Sequence, residues 1–444
     1  MAYLAGVFVI VVGVALSIAL HELGHMMPAK RFGVKCTQYM VGFGPTIWSR
    51  RRGETEYGIK AIPLGGYVRM VGMFPPVAGR PVRADSTGRW SMMVEQARSE
   101  SQREIGDVPT DRLFYAKPVW QRLIIMLGGP TMNLIIAVVL LTGILVGYGT
   151  AQQTTQLSSV SKCVLPASAP ATQTCTSSDP LAPAAAAGLL PGDTIVSFQG
   201  KRVSSWESVR TAIAGAGGRT VSLGIIRDGR SITVPVSPVS NDRYVYDKNG
   251  EPVVGQDGKK VTERVGFLGV TPVTANVKQS VTAVPGVLGS YLKQTAAVVV
   301  RIPQKMVGVA QAAFGSGARD PNGPISIVGV GRVAGEVASD KSPGDVKTTI
   351  MDRFVGLLSL IMSLNLALFI FNLIPLLPLD GGHAAGALWE GLRRQIARVR
   401  RLPDPGPVDV ARALPIAYGV ASLLIGMSLL LIYADLVHPI QLGG

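Results

Sequence analysis

Four long apolar runs interrupt an otherwise mixed chain, at 3–20, 123–147, 354–377 and 414–432. Each is near the roughly 20 residues that a helix needs to cross a bilayer. The pattern therefore predicts four transmembrane helices. The first run has no basic segment ahead of it and leads into a polar motif rather than a small-residue cleavage site, so it reads as a retained helix. Between the first two runs, residues 39–70 alternate apolar and polar positions and are rich in glycine. This predicts a β-hairpin with Arg52, Gly53 and Glu54 near its turn. A hairpin this apolar beside a span is expected to dip into the membrane, shielded by protein.

The remaining segments are polar or mixed. Residues 75–112 carry Pro, Ser and charges of both signs and read as a flexible cytoplasmic insertion within the 26–121 loop. Residues 149–180 read as a polar linker. Within 181–238, short β-runs separated by Gly-Asp, Gln-Gly and Asp-Gly turns surround one helix at about 205–213. That predicts a small, partly open β-structure. The stretch 239–353 mixes a polar insertion at 241–260 with amphipathic positions at 281–307. Residues 384–412 form a basic segment before the last span, and 435–444 a short tail.

Charge fixes the orientation. The chain of 444 residues is 47% apolar with a formal net charge of +15, and its mean hydropathy is +0.33. Much of the positive charge lies beside spans, at 30–122 and 393–412. Basic loops of this kind are cytoplasmic, which leaves 149–353 and both termini outside. No zinc finger, RNA-recognition signature or aromatic-studded basic strip is present, so the charge does not point to nucleic acid. Cys36, Cys163 and Cys175 are too few for a disulfide scaffold. Cys163 and Cys175 share an extracytoplasmic polar region, where a single bridge and two free thiols both remain open.

The chemistry concentrates at His21-Glu22-Leu23-Gly24-His25, at the cytoplasmic end of the first span. Positions i and i+4 share a helix face, so two imidazoles can address one metal while Glu22 takes a proton from water. Two of only four histidines occupy this motif, and burying them on an apolar helix is costly without a purpose. A catalytic zinc needs a third protein ligand and one open position. Residues 26–44 contain no His, Asp or Glu. The third run, however, ends in NLIPLLPLDGGH, where Asp380 is a carboxylate at membrane depth whose burial metal coordination would offset. Pro375 and Pro378 break the helix just before it. His383 competes as a ligand but fits better as a residue orienting one. Asn372 and Asn133 are intramembrane amides suited to holding a substrate backbone or an oxyanion, with a helix–helix hydrogen bond as the alternative for Asn133. His438 has no partner apparent from the sequence.

Together, HELGH at 21–25, GFGP at 42–45, PLGGYV at 63–68, GGPTMN at 128–133 and NLIPLLPLDGG at 372–382 resemble the site-2 protease family of intramembrane zinc metalloproteases. The likeness is to the bacterial regulator of sigma-E protease group and covers all four spans. It implies His21, His25 and Asp380 as ligands to Zn2+, Glu22 as the catalytic base, and Asn372 as a contact to the substrate strand. It further implies that the 39–70 hairpin is a re-entrant element presenting that strand, and that the 179–237 insert is a PDZ domain. One PDZ domain is evident where the Gram-negative pattern has two, and the 75–112 insertion is longer and more charged.

The fold expected is thus a polytopic α-helical membrane protein with a membrane-associated β-hairpin and an extracytoplasmic PDZ domain. The implied setting is the bacterial cytoplasmic membrane. The implied substrates are single-span proteins such as anti-sigma factors or signal-peptide remnants, first cut outside by a site-1 protease. Two other readings are a zinc-binding scaffold acting through the PDZ domain and an ion or proton transporter. Glu22 speaks against the scaffold, which needs no base. The lack of repeat symmetry between halves speaks against the transporter.

Overall fold

A computed structural model describes residues 1–75, 99, 102–166, 173–245, 253, 260–315, 319–320, 323–339, 348–408 and 413–439. Most of the expected insertion at 75–112, much of the polar insertion at 241–260 and the end of the tail lie outside these residues. Along the chain the elements are α1 (Ala2–Arg31), β1 (Cys36–Arg52), β2 (Thr55–Met70), α2 (Val119–Thr142), β3 (Thr150–Val160), β4 (Thr194–Phe198), β5 (Lys201–Arg202) and α3 (Trp206–Ala214). Then follow β6 (Val221–Arg227), β7 (Arg230–Val236), β8 (Val239–Tyr244), β9 (Thr262–Phe267), β10 (Val270–Val277), α4 (Val284–Phe314), α5 (Ile327–Ser339), α6 (Ile350–Asn372), α7 (Asp380–Val399) and α8 (Leu414–Val437). They form two compact units, Met1–Gly147 with Ser280–Gly444, and Tyr148–Gln279.

In the first unit, α1, α2, α6 and α8 are long and apolar enough to cross a membrane, α2 running on through Gly143–Tyr148. Their order matches the four apolar runs, so the chain is a multi-pass membrane protein. Helices in lipid gain little from hydrophobic burial against one another and depend on close packing at small residues. Gly24 of α1 and Gly128 of α2 supply this. A Cβ on Gly24 would lie 2.4 Å from the Gly128 carbonyl oxygen. At the far end of the bundle, α6 starts with a capping box. Thr349 Oγ1 accepts from the Asp352 amide, and the Asp352 carboxylate accepts from the Thr349 amide.

The third span differs from expectation in a way that matters for the site. The third apolar run, 354–377, is helical only as far as Asn372, where α6 ends, and a non-helical stretch with Pro375 and Pro378 follows, longer than the break expected just before Asp380. Neither proline can donate to a helical ladder. Asp380 is therefore the first residue of a new helix, α7, with Leu379 as its extended N-cap. The basic segment at 384–412 is likewise helical as far as Val399, with Ala384, Ala387, Glu390 and Ala397 buried.

The hairpin also folds further than the alternation implied. Its turn is at Gly53 and Glu54, where Arg52 faces Thr55. Tyr39, however, lies opposite both Val68 and Tyr57, and Met40 opposite both Tyr67 and Gly58. Both strands thus double back, and residues 38–41 are flanked on two sides. Gly42, Gly44 and Gly65 adopt positive φ at the folds, a region that other residues enter at a cost. Segment 62–70 is left with one partner and forms an edge.

In the second unit, β10-β3-β4-β6-β7 form a sheet with β5 beside β4, and β8 pairs with β9. Val209 and Ile213 of α3 share a core with Leu157, Ile195, Leu223, Ile225 and Leu268. The 149–180 stretch expected as linker contains β3, and the sheet reaches β10 beyond the expected boundary at 238. The sequence signal in β3 is weak because only Leu157 is fully buried. Its strand form comes from pairing with β10 and β4 on either side. Cys163 and Cys175, left open above, are joined in a disulfide.

Candidate metal centre

In the C-terminal part of α1, His21 and His25 stand one turn apart with their rings edge to face, and their Nε2 atoms are 3.2 Å from each other. Asp380 comes to them from the start of α7. Its Oδ2 lies 3.3 Å from the Nε2 of each histidine. Donors held at about 2.0–2.1 Å by one tetrahedral ion stand about 3.3 Å apart. The three measured separations form that triangle. Asp380 Oδ2 is moreover buried without a hydrogen-bond partner. A buried carboxylate oxygen facing two imidazole nitrogens is a costly arrangement unless a cation joins them. The donor set fits zinc, with room for three protein ligands and one open position.

The far nitrogens of both rings are held by α2. His25 Nδ1 donates to the Ile125 carbonyl oxygen over 2.7 Å. That bond puts the ring proton on Nδ1 and leaves the Nε2 lone pair free for a metal. His21 Nδ1 lies 3.0 Å from the amide of Asn133, which is fully buried. The nearer amide atom is Nδ2, and Asn133 Oδ1 has no hydrogen-bond partner. Turning the amide oxygen toward an Nδ1–H satisfies both groups and gives His21 the same tautomer as His25. Gly129 lies between these two contacts, where a Cβ would stand 2.2 Å from His25 Nε2. Only glycine leaves the ring its place.

Glu22 lies on the side of α1 next to the edge segment of the hairpin. Its carboxylate faces the Val68 backbone. A Cβ on Gly66 would lie 2.9 Å from Glu22 Cγ and 3.1 Å from Ile18 Cγ2. The Tyr39 hydroxyl donates to the Ala19 carbonyl over 2.6 Å, which pins the hairpin to α1 one turn before the histidines.

The other residues singled out from sequence fall into separate places. Asn133, read as a contact to substrate or as a helix–helix hydrogen bond, lies against His21. Asn372 is half-buried in the last turn of α6 and is not one of the three converging donors. His383 lines a small cavity of about 20 Å³ with Tyr115, Arg122 and Glu390. His438 caps α8 and takes no part in the cluster. Two groups went unnoticed in the sequence. Asn365, fully buried in α6, donates to Ser17 Oγ over 2.9 Å, one turn before His21. The other is the buried Arg122–Glu390 ion pair. Asn365 carries the same intramembrane-amide signal as Asn372, whereas the ion pair sits in stretches where charges are ordinary.

Comparison with known proteins agrees with this geometry. A family model described as Peptidase family M50 matches residues 9–402, most of the chain. The chain belongs to peptidase family M50. This M50 peptidase is 34% identical over 451 residues, the full length of both proteins, to a protein of Mycobacterium tuberculosis named zinc metalloprotease Rip1. It is 32% identical to the protein of that name from Mycolicibacterium smegmatis, over 98% of each chain. It is 27% identical to metalloprotease MmpA of Caulobacter vibrioides, over 86% of this chain and 85% of that one. The resemblance to site-2 proteases is thereby borne out, and the M50 peptidase is a zinc-dependent intramembrane protease.

Proposed function

We propose that His21, His25 and Asp380 hold the zinc, that Glu22 is the general base, and that the substrates are single-span membrane proteins opened as strands along the 62–70 edge. The observation that carries this reading is the triangle of three donor atoms with its unpaired Asp380 oxygen. Zinc held by these three residues would supply Lewis acidity toward a peptide carbonyl and toward water. Glu22 takes the proton from that water and delivers it to the leaving amine nitrogen. Asn133 and the Ile125 carbonyl keep both imidazoles in the tautomer that donates electrons from Nε2.

A helical substrate hides its peptide bonds and must unwind before cleavage. Segment 62–70 pairs with 36–43 on one side only, and Gly66 on it touches Glu22. A substrate strand added to this edge regains backbone hydrogen bonds and passes beside the base. The exposed apolar side chains of Phe43, Ile47, Trp48, Ile59 and Ile62 suit a hairpin dipping into lipid. Asn372 would contact that strand. The 148–279 unit acts as an extracytoplasmic PDZ domain, supported by α3 packed on its sheet and the AGLLPGD turn, and it filters ectodomains or reads new C-termini. The substrates are anti-sigma factors or signal-peptide remnants already trimmed by a site-1 protease, at the bacterial cytoplasmic membrane. Zinc analysis of Asp380→Ala tests the ligand set. The expected result is loss of tightly bound metal from folded protein, and full retention would refute it.

A further inference from the structure

We infer that Arg122 and Glu390 are a positioning pair that sets Asp380 against the two histidines, an inference resting on Asp380 as a zinc ligand. The problem they solve arises from the broken third span. A continuous helix would hold Asp380 rigidly to α6, but the seven residues 373–379 are not helical. The place of Asp380 must then be set by how α7 packs, and α7 packs on α2.

Glu390 lies ten residues along α7 from Asp380, about 15 Å at 1.5 Å per residue. It is fully buried. Its two carboxylate oxygens accept from Arg122 Nη1 and Nη2 at 3.0 and 2.5 Å. Oε2 also accepts from the Val408 amide at 3.0 Å, and Arg394 lies 3.2 Å from Oε1. Arg122 is itself buried at the start of α2. A two-pronged guanidinium–carboxylate contact fixes direction as well as distance. Beside it, a Cβ on Gly391 would stand 3.3 Å from Val119 Cγ1 of α2, so α7 packs directly against that side chain.

Seen from α2, the arrangement is a template. Arg122, Gly129 and Asn133 follow one another at spacings of seven and four residues, so they share one helix face. Asn133 holds His21, Gly129 makes room for His25, the Ile125 carbonyl orients His25, and Arg122 holds the helix that carries Asp380. One helix that donates no ligand thus places all three. A buried ion pair is a poor way to gain stability compared with apolar packing, and its best-attested use is to fix register. Here it fixes α7 against α2.

The test uses the full-length chain in lipid nanodiscs, with zinc affinity measured by chelator competition and site geometry by the visible spectrum of the Co2+-substituted protein. Glu390→Gln removes the charge, and Arg122→Lys keeps a cation but gives up the fork. Both are expected to weaken zinc binding by about tenfold, the effect of losing an outer support, and to alter the Co2+ bands in folded protein. Should Glu390→Gln fail to fold, Arg122→Lys alone decides. Wild-type zinc affinity and Co2+ spectrum in the folded variants, even with lowered thermal stability, would show a merely structural role and overturn the inference. Asp380→Ala serves as the control. If it keeps wild-type zinc affinity, the ligand assignment fails rather than the role of the pair.

Discussion

His21 and Asn133, 112 residues apart in sequence, meet with Nδ1 3.0 Å from the side-chain amide nitrogen of the fully buried Asn133. The amide oxygen has no partner where it stands, so its best place, after a flip of the amide, is on the Nδ1 proton. Asn133→Leu keeps the bulk and removes the acceptor. It is expected to weaken zinc binding by about 10–100-fold. Asn133→Asp keeps an acceptor at the same position and should hold zinc far better than the leucine variant. Equal zinc affinity in the two variants would show that the acceptor is not what matters.

Gly66 separates the base from the metal in a way that kinetics can read. A methyl group there meets Glu22 Cγ at 2.9 Å and the Met40 carbonyl oxygen at 3.0 Å. Gly66→Ala should therefore displace Glu22 while leaving His21, His25 and Asp380 in place. The expected outcome is a normal zinc content with kcat lowered by about 10²-fold or more, the usual worth of a positioned general base. A drop in zinc content equal to the drop in activity would instead mean that the hairpin supports the metal.

In the second unit, Asp193 is buried and accepts from Arg227 Nε and Nη2, each at 2.7 Å, and from the Leu190 amide at 2.8 Å. The Arg227 guanidinium holds its carboxyl below the usual carboxylate range. A folded-state pKa below the unfolded one adds stability that is complete above the unfolded value near 3.9. That contribution is lost as pH falls through the folded value. Hydrogen exchange over the 188–193 turn, corrected for intrinsic rate, should show protection constant from pH 7 to about 5 and falling below about 4. In Asp193→Asn the protection should be lower at neutral pH and flat over the same range.

Much of this was legible in the sequence, for physical reasons that vary by residue. The four spans stood out because lipid demands long uncharged runs. His21, Glu22, His25 and Asp380 stood out because ionisable groups at membrane depth are rare. The break that makes Asp380 the head of α7 was half visible in Pro375 and Pro378, although the new helix beyond was hidden by its basic composition. The doubling back of the hairpin was not legible, since local alternation says nothing about which strand lies on the second side of Tyr39. Asn133 was marked as an intramembrane amide, but whether it faced substrate or a histidine depended on helix rotation. Arg122 and Glu390 gave no signal, because charges at the end of a span look like ordinary solvated ones.

The central claim is that Glu22 acts on water at a zinc held by His21, His25 and Asp380. Cleavage of a single-span reporter by purified protein in lipid, comparing wild type with Glu22→Gln at matched zinc content, tests it most directly. The account predicts that Glu22→Gln retains its zinc and loses cleavage by at least about 10²-fold. Cleavage by the variant at the wild-type rate would contradict it.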